Sequence, residues 1–358
     1  MNAPSPADDL PTRLHLTPDV YPQKLDLVRG AVLLIGFDAP AYRAASFLDD
    51  RILTPATRGT WVHGARASEA AARVREPRPV HFVFHAGHVG STLLSRLLDD
   101  SGVVLGLREP LPLRTLADAH DVLDAPESLL SRAQFDGALA TFLRLWSRGY
   151  ADTRAVVVKA TSTAGRLAPA LLAAAPDARG VYLSLAAEPY LATLLAGANS
   201  ALDLRGHGPE RMRRLARRTN APLAPLHSLS TGELAAAAWL AESCSAADAL
   251  AAHGARVLPL DFDAFLRDVG GAMTAIVRHL RLPVDAERAA ALAHSPALTR
   301  YSKAPEHAYG PEVRAELLAA ARREHAAEIA RGLAWLERMA KADAAFERVI
   351  GRGLAVPG

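Results

Sequence analysis

Short apolar runs alternate with amphipathic or alanine-rich stretches along most of the chain. VHFVF (80–84), VVLGL (103–107), AVVVK (155–159), GVYLSL (180–185) and ARVLPLDF (255–262) have strand length. They are nearly continuous in apolar and β-branched residues, as strands covered on both faces are. Between them, STLLSRLLDDSG (91–102), PESLLSRAQFDGALATFLRLW (126–146), RLAPALLAAA (166–175), a stretch from Pro189 and ELAAAAWLAESCSAADALAAHG (233–254) predict helices. The first of these is expected to take Ser91 or Thr92 as its cap and to stop at Gly102. Strands alternating with helices predict a parallel sheet covered on both faces and joined by right-handed crossovers. The expected fold class is α/β, three layers around a mainly parallel sheet, with a small N-terminal addition and C-terminal helices.

The pattern is weaker at the two ends. Residues 1 to 20 hold four prolines and no period, so a loose arm is expected. AVLLIGF (31–37) and WVHG (61–64) read as strands, and APAYRAASFLDDRI (39–52) as a helix between them. VREPRP (74–79) has two prolines and reads as a linker. The predicted division is an extension over 1–76 and a main domain over 77–358. A long amphipathic helix is expected at about 311–341.

Composition narrows the function classes. Half of the 358 residues are apolar and the formal net charge is +3. That charge is too small to imply a nucleic-acid partner without a clustered patch. The one cysteine, Cys244, allows no internal disulfide and fits a reducing compartment. MNAPSPADDL has no basic start followed by an apolar run, so no signal peptide is expected. No stretch of ~18 apolar residues without charges occurs. A cytoplasmic protein with no membrane and no nucleic acid among its partners is expected. Only four of the 41 basic residues are lysines: Lys24, Lys159, Lys303 and Lys341. A lysine at a special position in such a chain is worth weighing.

The turn between the strand at 80–84 and the helix at 91 carries the chemistry. It reads Gly87, His88, Val89, Gly90, Ser91, Thr92. Glycines permit left-handed backbone and close approach of a ligand. A helix start offers unpaired N–H groups and partial positive charge, which suit phosphate or sulfate. An ordinary capped turn between strand and helix would look the same. It is not a Walker loop, because Gly90 stands directly before Ser91, where that motif needs Lys. The neutralising ammonium of magnesium-ATP chemistry is therefore missing from the loop.

The turn resembles the 5′-phosphosulfate loop of P-loop sulfotransferases of the bacterial and tyrosylprotein type. That loop runs Pro, Lys or Arg, Ser, Gly, Ser or Thr, Thr, then an apolar helix. Here Gly90, Ser91 and Thr92 match, Leu93, Leu94, Leu97 and Leu98 supply the helix, and His88 replaces the basic residue. The resemblance implies the donor 3′-phosphoadenosine 5′-phosphosulfate, a small-molecule or peptide hydroxyl acceptor, and no metal. It implies that Gly87, His88, Val89, Gly90, Ser91 and Thr92 cradle the donor. It implies Glu109, 21 residues after His88, as general base, and Lys159 as the cation on the transferring sulfonate.

The chain departs from that pattern at the 3′-phosphate. The family's fourth strand ends in Arg, with a Ser further on; here Leu185 and Thr193 hold those places. Two basic segments are candidates to compensate: RMRRLARR (211–218), otherwise a solvated helix face, and RYSKAPEHAY (300–309), with Arg300, Ser302 and Lys303. Asp49 and Asp50 beside Arg51 read as a helix-end ion pair ahead of a metal pair. His81 and His85 share a face of the first main strand, and His85 lies closer to the loop. Two alternatives stay open: an ATP-dependent phosphotransferase, and a non-catalytic member that binds a nucleotide or a partner.

Overall fold

The computed structural model describes residues 9–197, 199–302, 306–308 and 310–352. Helix α1 (Leu10–Arg13) leads into an antiparallel sheet of β1 (Val20–Asp26), β2 (Ala31–Gly36) and β3 (Gly59–His63). Strand β1 lies where a loose arm was expected. Pro22 had masked it; as an edge strand with a register shift between Pro22 and Lys24, β1 tolerates the missing N–H. The helix expected over 39–52 is two pieces, α2 (Ala39–Ala44) and a 3-10 turn at Asp50–Ile52. Ala45 turns the backbone extended, and the carbonyls of Tyr42 and Ala45 accept from the Arg108 guanidinium instead of continuing a helix. Helix α3 (Gly64–Ala72) closes this part.

The second sheet is parallel throughout. Its strands are β4 (Val80–His85), β5 (Val104–Arg108), β6 (Ala155–Lys159), β7 (Gly180–Ser184) and β8 (Val257–Asp261), in spatial order β5-β6-β4-β7-β8. The helices between and after them are α4 (Ser91–Asp100), α5 (Leu111–Asp121), α6 (Arg132–Trp146), α7 (Ala168–Ala174), α8 (Ala187–Leu195), α9 (Ser200–Ala216), α10 (Thr231–His253), α11 (Phe262–Arg267), α12 (Val269–His279), α13 (Ala286–Ala291), α14 (Pro311–Glu324), α15 (Ala326–Ala342) and α16 (Ala344–Arg352). This is the α/β class expected from the pattern. Helix α5 was not expected, because Pro110 and Pro112 suggested a loop; prolines at a helix start cost no hydrogen bond. The long C-terminal helix is instead α14 and α15, interrupted at His325.

Strand alternation divides the core in two. Phe82, Phe84, Val156, Val158 and Tyr182 face one cluster, which also takes Tyr21, Val32 and Leu34 of the first sheet and Leu139 and Phe142 of α6. Val83, Val157, Val181 and Leu183 face the other, with Leu94, Leu97, Leu98, Trp239 and Leu240. Each fully buried Phe, Val or Leu stabilises the fold by ~1.5–3 kcal/mol. Burial on both faces leaves only the strand ends free for chemistry. The chain leaves β4 for β5 and β6 on one side, then crosses to β7 and β8 on the other. The turn after β4 thus lies at the switch point, where open α/β sheets bind ligands.

Candidate functional site

The turn after β4 is built by its own backbone and braced from three sides. His85, the last residue of β4, is buried, and its Nε2 lies 2.8 Å from the Ala160 carbonyl. Its Nδ1 accepts from the Gly87 amide at 3.1 Å. Those partners assign the proton to Nε2 and tie the turn to the end of β6. The Tyr190 hydroxyl donates to the Ala86 carbonyl at 2.8 Å. A Cβ on Gly87 would stand 3.4 Å from Ser162, so the segment after β6 closes directly on the turn.

The backbone then takes left-handed values at Gly87 (φ 93°), His88 (φ 54°) and Gly90 (φ 71°). His88 is strained in that region and exposed, while Val89 is fully buried and anchors the turn. Gly90 also has no room for a side chain, because a Cβ there would collide with the Phe262 ring. Gly90 is the N-cap of α4 and no side chain caps that helix. The expected Ser91 or Thr92 cap is therefore corrected: both residues lie inside the first turn. Thr92 is buried and its hydroxyl has no hydrogen-bond partner. An orphaned hydroxyl costs ~1–3 kcal/mol, which a bound oxyanion would relieve.

Glu109 and Lys159 meet beside this turn. Lys159 ends β6 and pairs in register with Val83 of β4 and Arg108 of β5. The Glu109 amide donates to the Lys159 carbonyl at 2.7 Å, and the Lys159 ammonium donates to Glu109 Oε1. Glu109 reaches this position through a left-handed backbone (φ 57°). The Lys159 side chain is 1 % exposed and that of Glu109 is 13 %. The arrangement holds a proton acceptor and a fixed positive charge together at the carboxyl edge.

A wall from the N-terminal segment covers the pair. The Phe47 ring has the Arg51 guanidinium 3.5 Å from its centre and the Lys159 ammonium 5.7 Å away. Arg51 is paired with Asp49 at 2.5 Å, the ion pair expected for that motif, and the nearby Glu109 charge also raises its pKa. Two arginines fasten the wall. Arg108 pairs with Asp99 and binds Tyr42 and Ala45. Arg96 of α4 binds the Arg43 carbonyl at 3.2 Å and Ser46 at 3.0 Å. Sequence reasoning missed Phe47, Ser162, Arg96 and Arg108. An arginine directly before the candidate base was the one available signal.

The other predicted residues are more scattered. Leu185 is buried, and its carbonyl accepts from Trp239 Nε1 at 2.9 Å. The Thr193 hydroxyl donates to the Pro189 carbonyl within α8 at 2.7 Å. Arg300 bridges to Ala308, and the Ser302 carbonyl accepts from Arg96 Nε at 2.8 Å, so this loop is moored to the turn's own helix. Lys303 lies outside the described residues. RMRRLARR is a solvated face only in part, with Arg213, Arg217 and Arg218 exposed. Arg211 and Arg214 are buried, and Arg214 binds Glu242 at 2.7 Å and Ser245 at 3.0 Å on α10. Arg218 pairs with Asp248. The buried Glu242 on the facing helix draws Arg211 and Arg214 inward and commits them there.

No protein-family model matches the chain, and no curated protein matches it. Solved structures with likeness to it include a sulfotransferase domain from the curacin biosynthetic pathway, 12% identical with a TM-score of 0.41, covering 78% of this chain and 98% of that one. A sulfotransferase domain from the Synechococcus PCC 7002 olefin synthase is 14% identical with a TM-score of 0.38, covering 79% and 97%. Sulfotransferase STF9 from Mycobacterium avium is 15% identical with a TM-score of 0.37, covering 73% and 82%. Among the described residues, no helix is long and apolar enough to cross a membrane, and no cluster of three metal-ligating side chains occurs.

Proposed function

We propose that the chain is a sulfotransferase-like enzyme that moves a sulfonate from 3′-phosphoadenosine 5′-phosphosulfate to a hydroxyl acceptor. The observation that carries the reading is the Glu109–Lys159 pair beside a glycine turn whose Thr92 hydroxyl has no partner. The 5′ end of the donor fits this cradle: helix α4 offers uncapped amides at Gly90, and Thr92 offers an unused hydroxyl. In this reading Glu109 takes the proton of the acceptor hydroxyl as its oxygen bonds to sulfur. The bond from sulfur to the bridging oxygen breaks, and its electron pair leaves on the 5′-phosphate of 3′-phosphoadenosine 5′-phosphate. Lys159 and His88 stabilise the charge on that leaving oxygen. Arg300, Ser302 and Lys303 would hold the 3′-phosphate in place of the family arginine. The single cysteine fits work in the cytoplasm.

The test is incubation of the chain with the donor and a mixture of hydroxylated small molecules, read by mass spectrometry. Sulfonated products that disappear with Glu109→Gln are expected. Products unchanged by that variant would remove Glu109 from the chemistry. Leu185 favours a second reading, a site for a nucleotide with no 3′-phosphate and no transfer. Under it the chain binds nucleotide with the same affinity before and after Glu109→Gln and forms no product.

A further inference from the structure

Next to the turn, on the β6 side, lies a cavity of about 240 Å³. Arg114, Asp118 and Asp121 of α5 form one wall, His207, Glu210 and Arg213 of α9 the other, and Thr163 the end nearest the site. Thr163 adjoins Ser162, which packs on Gly87. Helix α5 begins two residues after Glu109, so Arg114 stands about one turn from that carboxylate's end of the helix. The cavity therefore flanks the Glu109 side of the candidate site.

Every side chain that lines it carries a polar or charged group. Buried guanidiniums fix the three carboxylates: Arg166 reaches Asp118 at 2.7 Å, Asp121 at 3.0 Å and Glu210 at 3.3 Å, and Arg214 reaches Glu210 at 2.5 Å. Arg114 and Arg213 add two guanidiniums to the lining itself. Burial holds the pKa of His207 below its ordinary value, with Arg211 adding to the effect, so its imidazole is neutral near pH 7. The cavity thus offers hydrogen-bond donors and acceptors on facing walls, with charges of both signs interspersed. At ~30 Å³ per water its volume equals about eight waters. That is below the ~300–1,000 Å³ of pockets for drug-sized ligands.

Resting on the proposed function, we propose that this cavity is the acceptor pocket and that the acceptor is a small uncharged polyol or monosaccharide. Its hydroxyls would donate to Asp118 and Glu210 and accept from Arg114, Arg213 and Thr163. A phenol or other flat apolar acceptor finds no matching surface there.

The test supplies the full chain with the donor and two acceptor panels, methyl glycosides with polyols and phenol with naphthol. Transfer to members of the first panel is expected. Arg114→Gln and Asp118→Asn should each raise KM for the best acceptor by about tenfold, one polar contact's worth. Their kcat should stay within about threefold, and calorimetry should find 3′-phosphoadenosine 5′-phosphate bound as in the parent chain. Nucleotide binding with transfer to phenols alone, or an unchanged KM in both variants, overturns the pocket assignment and leaves the reaction standing. No binding of the nucleotide overturns the reaction itself and the pocket with it.

Discussion

Two groups of charged side chains lie within this fold, and they differ in kind. Between α9 and α10, Glu242 is 0 % exposed against Arg211 and Arg214, on unbroken helical backbone. At the carboxyl edge, Glu109 and Lys159 meet beside the turn after β4, and His88 in that turn and Glu109 after β5 both have left-handed backbone. Unbonded polar atoms do not separate the two groups. Arg211 Nε and Nη1 lack hydrogen-bond partners just as the Thr92 hydroxyl does. What separates them is stored backbone strain and a partly open carboxylate, Glu109 at 13 % exposure. Charges closed between helices hold packing together; charges placed by strained turns at a sheet edge are available to a ligand. The same contrast runs along β4: His81 at its start accepts from the Arg179 amide, while His85 at its end holds the turn that follows.

The largest effect should come at the edge. Glu109→Gln should lower kcat by ~10²–10⁴ in the molecules that remain folded, the signature of a group used for proton transfer, and should also lower stability because it leaves the buried Lys159 ammonium without its anion. A loss of folding with no separate kinetic effect would erase the contrast. In the closed group the effect is on stability alone. Glu242→Gln leaves Arg211 and Arg214 buried without their anion and should cost ~3–5 kcal/mol in chemical denaturation. Nucleotide affinity of the molecules that remain folded should not move.

The third prediction concerns acid. Burial lowers the pKa of His81 from 6.5 to about 4, with the charges of His279, Arg179 and Arg281 acting in the same direction. The folded state keeps it neutral while the unfolded chain protonates below 6.5, so its contribution is complete above that pH. It fades as pH falls toward 4, a loss of about 3 kcal/mol. His81→Gln should remove most of that acid slope in denaturation curves at pH 7 and 4.5. His120 and His279, lowered mainly by burial, leave a residual slope. The smallest effect is at Thr92. Thr92→Val removes an orphaned hydroxyl, so stability should hold or rise by ~1 kcal/mol. Nucleotide affinity should fall by about tenfold, or ~1.4 kcal/mol. Lost stability with unchanged affinity would place Thr92 with the structural group.

Much of the main sheet is legible in sequence because both faces of its strands are buried. AVVVK shows as a continuous apolar run and folds over those same residues. The turn is legible from its glycines. Contacts between distant residues are not: Glu109 and Lys159 stand 50 positions apart, and Phe47 reaches them from another sheet's connection. Arg211 and Arg214 of RMRRLARR look solvated locally because their partner Glu242 sits in an alanine-rich helix further along. Prolines hid β1 and α5, although each falls where a missing N–H is harmless.

The most direct test of the account is thermal unfolding of the full chain with 3′-phosphoadenosine 5′-phosphate and, separately, with magnesium-ATP. At one hundred times its dissociation constant the first nucleotide should stabilise the chain by about 2.7 kcal/mol, and magnesium-ATP should leave it unmoved. A shift with magnesium-ATP and none with 3′-phosphoadenosine 5′-phosphate would contradict the assignment of the turn after β4.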